Sequence, residues 1–387
     1  MTRRLYYDDC YLAEFRARVV EAAGERVYLE ATAFYPTSGG QPFDAGTIGG
    51  AAVVDVVDEG ERVAHLVSGP VETGEVACRV DWGRRFDHMQ QHSGQHLLSA
   101  VLVDLYGIPT VSFHLGGEAS TIDVEAVALE QAQIAAVERR VNEIVFENRP
   151  VTIAYQHASE EAGLRKASDR EGILRIVSIE GLDRSACGGT HVRATGEIGA
   201  VVLRKTEKIR AQTRIEFLCG GRAVRRARAD FEALSRIARV FSAPLDETPA
   251  LVAAQMEKLQ ETDKQRRRLA TELAQARGRE LYGATAPDAA GLRRHLRRVA
   301  SGGIDDDLRA EAQSFTAGSG AVFLAVLEEP RAVLLAVSAD SGWHAGNLMK
   351  PVLARLGGRG GGSATLAQGS VPSAEGLAEI AALIENA

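Results

Sequence analysis

Three histidines, His88, His92 and His96, stand four residues apart in "HMQQHSGQHLL", within a chain that holds nine histidines in all. On a helix that spacing puts every one of them on the same face, one turn apart. Two imidazoles so placed can share a metal ion, although polar helix faces produce the same spacing, and spacing alone does not choose among the three. A second cluster, "ACGGTHV", places Cys187 and His191 four apart, with glycines between them that allow a tight backbone turn. Thiolate and imidazole together form a borderline-soft donor set suited to zinc. The four cysteines, Cys10, Cys78, Cys187 and Cys219, are too widely separated to suggest a disulfide framework, which leaves each free to be core, ligand or nucleophile.

The elements that must position these groups can be outlined from patterning. Over residues 1–82 short β-like runs ("RVVEAA", "RVYLEATAFY", "AAVVDVVDEG", "RVAHLV") alternate with Gly, Pro, Asp and Glu turn signals, as in a small β-barrel or sandwich. Residues 83–221 predict an α+β domain carrying both clusters: helices over Arg84–Tyr106 and Glu125–Asn148, then strands at "VTIAYQ", "ILRIVSI" and "IGAVVLRKTEKI". Residues 222–285 predict a helical arm of two long helices broken near Pro244 and Pro249, with an irregular apolar stripe of Leu251, Val252, Met256, Leu259, Leu269 and Leu273. Residues 286–387 return to α/β: a hairpin of "AVFLAVL" and "AVLLAVS", a helix ending at Leu356, a glycine-rich loop "GGRGGGS" and a terminal helix from Ala374. The expected class is therefore an α+β multidomain protein.

Composition narrows the function. A chain of 387 residues with 45% hydrophobic and 25% charged residues is globular and long enough for two or three domains. No apolar run approaches the roughly 20 residues that span a bilayer. The start, "MTRRLYYDDCYLAEF", has acids and tyrosines where an export signal needs an apolar stretch, so a cytosolic location is expected. The net charge of −7 hides a segregation: between Val201 and Val240 eleven basic residues face four acidic ones. A second cluster is Arg293, Arg294, Arg297 and Arg298. Taken alone, two such clusters are solvated helix faces; beside the other motifs they suggest a polyanion partner.

The histidine string "HSGQHLL" resembles the H-x-x-x-H-L-L helix, and "CGGTHVRATGEIG" the C-x-x-x-H loop, of the editing domain of alanyl-tRNA synthetases and of the free-standing AlaX trans-editing proteins. "FYPTSGGQPFDAG" (Phe34–Gly46) resembles the glycine-rich barrel motif of that family, and "IRAQTRIEFLCGGRA" the segment that closes its editing domain. The four motifs occur in the family's order. The resemblance implies His92, His96, Cys187 and His191 as zinc ligands and leaves His88 outside the motif, as a helix-face residue or a proton relay. It implies Thr37, Ser38 and Gln41 as catalytic residues that hydrogen-bond a serine hydroxyl, with Gly39, Gly40, Arg210 and Arg214 binding substrate.

The last hundred residues resemble the small glycine-rich domain that ends alanyl-tRNA synthetases and some DHH-type phosphoesterases. "GGRGGGSATLAQG" carries that likeness, and Arg359, Gly360, Gly361 and Gly362 are then expected to meet RNA phosphates. The loop lacks the spacings of nucleotide-binding loops. No synthetase module precedes the barrel, so aminoacylation is not expected. The implied activity is zinc-dependent hydrolysis of seryl, or glycyl, esters of tRNA for alanine, in a chain whose stripe and terminal domain would allow a homodimer. Four protein ligands close a tetrahedral zinc, as structural sites do. A non-enzymatic RNA-binding protein with structural zinc is therefore the alternative, and a zinc hydrolase of small amides or esters a third reading.

Overall fold

The computed structural model describes residues 1–160, 163–167 and 171–385, and the chain divides into two compact units, Met1–Ile237 and Ala238–Ala387. The first opens with a closed barrel of six strands: Glu14–Ala23, Arg26–Leu29, Gly46–Ile48, Ala51–Asp58, Val63–Val67 and Gly74–Val80. Period-two alternation, shifted by an irregularity between Val53 and Asp55, turns Val19, Val27, Leu29, Val53, Val56, Val63, Val67 and Val80 into one core with Phe34.

The barrel runs directly into the helix Trp82–Tyr106, capped by the Asp81 side chain, which accepts the Arg84 N–H, and ended by Gly107 in the left-handed region. From His88 to Leu102 this helix is buried on every side apart from partly exposed Gln90. Leu97, Leu98, Val101 and Leu102 pack with Val137, Val141 and Ile144 of the helix Gln131–Glu147 and with Ile215 and Phe217 of a four-stranded sheet. That sheet runs in the order Val201–Ile209, Gln212–Cys219, Ser120–Val124, Thr110–Leu115; a three-stranded sheet is formed by Val151–His157, Ile173–Ile179 and Asp183–Ala186. The second helix starts at Gln131 and not at the expected Glu125, because the Glu130 N–H is capped by Gln133 Oε1 at 2.9 Å.

The end of the sheet is pinned to the histidine helix. Gln91 bonds both the N–H and the carbonyl of Cys219, and Arg222 makes a forked pair with Asp87 while donating to the Gly116 carbonyl. Gly94 in "HSGQH" is a packing glycine, since a Cβ there would overlap the Cys219 sulfur. The helix Gly220–Phe241 thus begins on the first unit with Arg222 buried against the histidine helix.

The second unit contains the long helix Thr248–Ala284 and a five-stranded sheet in the order Arg293–Val299, Ala321–Leu327, Ala332–Val337, Leu366–Ser370, Arg359–Gly362. Two expectations are corrected here. "GGRGGGS" is not a loop: Arg359–Gly362 is an edge strand paired with Leu366–Ser370, and a Cβ at Gly360 or Gly362 would overlap the backbone of that neighbour. The glycines serve close strand approach. Nor is the second arginine cluster a helix face. Arg293–Val299 is a strand, and three of its arginines are paired, Arg294 with Asp288, Arg297 with Glu311 and Arg298 with Glu385. Met256, Leu259, Leu269 and Leu273 of the expected apolar stripe are all exposed.

Candidate metal centre and its cavity

His92, His96, Cys187 and His191 converge, each offering one ligand atom, and those atoms all lie within 4.8 Å of one another. The two histidines come from the buried helix, the other two residues from the loop that follows the strand Asp183–Ala186. His92 Nε2 is 3.5 Å and His191 Nε2 3.4 Å from Cys187 Sγ. Every Nδ1 is held from behind. That of His92 meets Gln41 Oε1 at 2.9 Å, that of His191 meets Ser93 Oγ at 3.1 Å, and that of His96 meets Asp183 Oδ2 at 3.3 Å. Such outer contacts fix the tautomer that leaves Nε2 free for an ion, and carboxylate behind imidazole is a recurrent form of the arrangement. The His92 ring also stacks on Phe113, with centroids 5.4 Å apart.

Donor type and electrostatics suit a borderline-soft divalent cation. Burial alone would push the Cys187 thiol up, but His92 and His191 beside it hold it well below its ordinary value, toward the thiolate a metal takes. Burial, with His92 nearby, brings His191 down to about 3, so this imidazole stays neutral. The loop glycine is required: a Cβ on Gly189 would overlap the His92 ring. His88, one turn upstream, is buried outside the cluster, and its Nδ1 has no hydrogen-bond partner among the described residues.

The barrel motif reaches the cluster unevenly. Gln41 is fully buried and its carboxamide is engaged: Nε2 donates to Thr190 Oγ1 at 2.8 Å while Oε1 accepts from His92 and from the Thr190 N–H. Thr37 is exposed, and its hydroxyl oxygen accepts the Phe43 N–H. Gly40 packs against the Phe113 backbone at φ +85°, a place closed to larger residues. Tyr35, Pro36, Ser38 and Gly39 of the motif line a cavity of about 470 Å³, whose wall also includes His92, His96 and Cys187.

Arg210 and Arg214 do not line that cavity. Arg210 is exposed at the hairpin turn between Val201–Ile209 and Gln212–Cys219. Arg214 is bound to Asp123, which also accepts from Ser112 of the cavity wall, so it touches the cavity only at second hand. Arg359 and Gly360 to Gly362 belong to the edge strand of the second unit. Sequence reading missed Ser93 and Asp183. Both lie close to a ligand in sequence, Ser93 next to His92 and Asp183 four residues before Cys187, and that adjacency was the available signal. It also missed Arg165, which anchors Asp183 through a 2.8 Å bond and lines the cavity.

Residues 174–216, which include Cys187 and His191, match the family model described as Threonyl and Alanyl tRNA synthetase second additional domain, and residues 298–387 match the DHHA1 domain. A Pyrococcus horikoshii protein named Alanyl-tRNA editing protein AlaX-L is 32% identical, over 96% of this chain and 95% of its own length. The chain belongs to the alanyl-tRNA editing protein family. Alanyl-tRNA editing protein Aarsd1 of Danio rerio is 34% identical over 66% of the chain and 67% of that protein. Alanine–tRNA ligase of Pyrococcus abyssi is 31% identical over 96% of the chain, which spans 42% of the ligase. Among the described residues no helix is long and apolar enough to cross a membrane.

Proposed function

We propose that the chain is a zinc-dependent aminoacyl-tRNA deacylase that hydrolyses the ester joining a wrong amino acid, serine first and glycine second, to tRNA for alanine. The observation that carries this reading is one cavity whose wall combines the His/Cys cluster with Ser38 and Gly39 of the barrel motif. The names of its relatives, alanyl-tRNA editing proteins, support action on tRNA for alanine. A synthetase pocket cannot strongly reject a side chain that adds only a hydroxyl, so a second site is useful. It selects serine by pairing that hydroxyl, and alanine would leave the same groups unpaired.

In this chain Ser38, on the cavity wall, is the residue assigned to that hydroxyl, while Thr37, exposed and off the wall, holds the Phe43 N–H and so supports the loop. Gln41 acts from the other side, as the residue that orients His92. Zinc held by His92, His96, Cys187 and His191 would supply Lewis-acid orientation of the ester carbonyl. Asp183 and Arg165 keep His96 in place, and Gly39 leaves room for the ester. The exposed basic hairpin around Lys208 and Arg210 and the edge strand at Arg359 are the tRNA-body contacts of the proposal, and a homodimer through the exposed stripe of Thr248–Ala284 accompanies it. The proposal also keeps the four-part division 1–82, 83–221, 222–285 and 286–387.

The test is release of serine from seryl-tRNA for alanine, beside alanyl-tRNA, by wild type and Cys187→Ala with zinc measured in both. Loss of serine only, ending when the metal is lost, is expected. A folded, zinc-loaded protein that releases nothing would favour the reading in which four protein ligands close a structural zinc.

A further inference from the structure

One wall of the cavity is aromatic and does not involve the metal cluster. Tyr6, Tyr7 and Tyr35 pack edge to face, Tyr6 to Tyr7 at 4.7 Å and Tyr6 to Tyr35 at 5.3 Å between centroids. Tyr35 and Tyr6 line the same cavity as Cys187 of the metal cluster and Asp58. The wall therefore leads from the metal ligands to a carboxylate.

Asp58 ends the barrel strand Ala51–Asp58 and is itself a lining residue. Its Oδ1 accepts from Arg4 Nη2 at 2.7 Å and from the Gly60 N–H at 2.9 Å. Oδ2 has no partner among the described residues, and the side chain keeps 35% of its exposure. On the same wall the Tyr6 hydroxyl, in a residue 1% exposed, also has no hydrogen-bond partner among the described residues. A buried hydroxyl without a partner is uncommon and calls for a reason. Tyr7 is half-buried, with the guanidinium carbons of Arg4 and Arg175 at 5.9 and 5.5 Å from its ring centroid. Such an aromatic face suits a base, and a carboxylate that repels phosphate suits an uncharged donor.

We propose that this end of the cavity seats the terminal nucleoside of the tRNA, its base against the Tyr7 ring and the exocyclic amine of adenine donating to Asp58 Oδ2, with the Tyr6 hydroxyl completing the pair. Arg4 fixes the carboxylate and offsets its charge, so that the incoming phosphates meet less repulsion. A cavity of about 470 Å³ lies in the range of sites that hold a ligand the size of an amino acid joined to a nucleoside. The inference rests on the deacylase reading and adds to it the residues that read the base.

The experiment compares kcat/KM on mischarged RNA minihelices that end either in adenosine or in purine riboside, which lacks the amine. Wild type should lose about tenfold on purine riboside, the worth of one hydrogen bond. Asp58→Ala should lose about as much on adenosine and then fail to distinguish the two ends, while Tyr6→Phe should lose activity on both ends alike and still distinguish them, with zinc content unchanged in both. Tyr6→Phe leaves the Asp58 turn intact, so it answers even where Asp58→Ala is poorly folded. Equal wild-type rates on both ends would overturn the base contact and leave the deacylase reading standing. Tyr6→Phe that melts higher with unchanged kcat/KM would reduce Tyr6 to a packing residue and overturn its part. Zinc-loaded wild type inactive on both ends would sink the two readings together.

Discussion

The Gln41 side-chain oxygen accepts a hydrogen bond from His92 Nδ1 at 2.9 Å, joining a barrel loop to a helix 51 positions later. Because Gln41 Nε2 is committed to Thr190, the oxygen is the atom that faces His92, and His92 Nε2 must then be the ring atom turned to the ligand cluster. Gln41→Ala should therefore weaken zinc binding by about 10- to 100-fold, as loss of an outer contact does, while the barrel stays folded. Competition against a chelator, with circular dichroism as control, checks this; unchanged zinc affinity would leave Gln41 to the substrate.

Gly189→Ala should abolish the metal site through steric overlap alone. The added methyl falls on the His92 ring, which is buried and stacked on Phe113 and has little room to move. Zinc content near zero, with the second unit's thermal transition unchanged, is the expected outcome. Full metal loading would show that the Cys187–His191 loop can shift.

The histidine row was legible because a four-residue repeat places groups on one helix face whatever the rest of the fold does, whereas Cys187 and His191 sit in a loop and their part was carried by the resemblance. The barrel was legible because period-two alternation survives in short strands. Arg359–Gly362 was not, because glycine carries no periodicity and its strand role rests on close approach to Leu366–Ser370, a tertiary fact. The strands Thr110–Leu115 and Ser120–Val124 were missed because Ser112 and Asp123, which meet across the sheet, look like loop residues in isolation. The partner of Gln41 could not be read either, since nothing local marks a contact across 51 positions.

Asp44→Asn should cost about 3–5 kcal/mol, the usual penalty for leaving a buried charge unpaired. Asp44 is fully buried and forms a forked pair with Arg85, whose remaining N–H groups reach the Cys10 and Ala33 carbonyls. Arg85 lies on the histidine helix and Asp44 follows the "TSGGQ" loop, so the pair also clamps the Gln41–His92 contact. A melting temperature within a degree or two of wild type would contradict this.

Acid should destabilise the barrel through His65. This residue is fully buried, its Nδ1 near the Val27 carbonyl at 3.2 Å and its Nε2 near Thr32 Oγ1 at 2.8 Å, a pairing met by neutral imidazole with Nδ1–H donating and Nε2 accepting. Burial depresses its pKa from 6.5 to about 4. Between those values the unfolded chain takes up a proton that the folded barrel refuses. The stability is fully present above pH 6.5 and falls by about 3 kcal/mol as pH drops to 4. Buried His88, held at about 4 mainly by burial, adds loss of the same sign. Urea midpoints from pH 7 to 4 should fall more steeply for wild type than for His65→Gln; parallel curves would assign the acid sensitivity elsewhere.

Arg210→Gly should separate RNA binding from stability. Arg210 occupies a hairpin turn at φ +57°, where a side chain is strained and glycine is not, so the substitution should stabilise the first unit by up to about 1 kcal/mol. The same change removes an exposed cation beside Lys208. If the hairpin meets tRNA phosphate, affinity should fall for every tRNA sequence alike, and the slope of log K against log salt should shrink by about 1. Arg214 offers the contrast, because Asp123 already neutralises it and its loss should weaken the sheet before it weakens binding. A slope unchanged in Arg210→Gly, with the rise in melting temperature present, would show that the turn relaxes without touching RNA and would move the polyanion contact away from this hairpin.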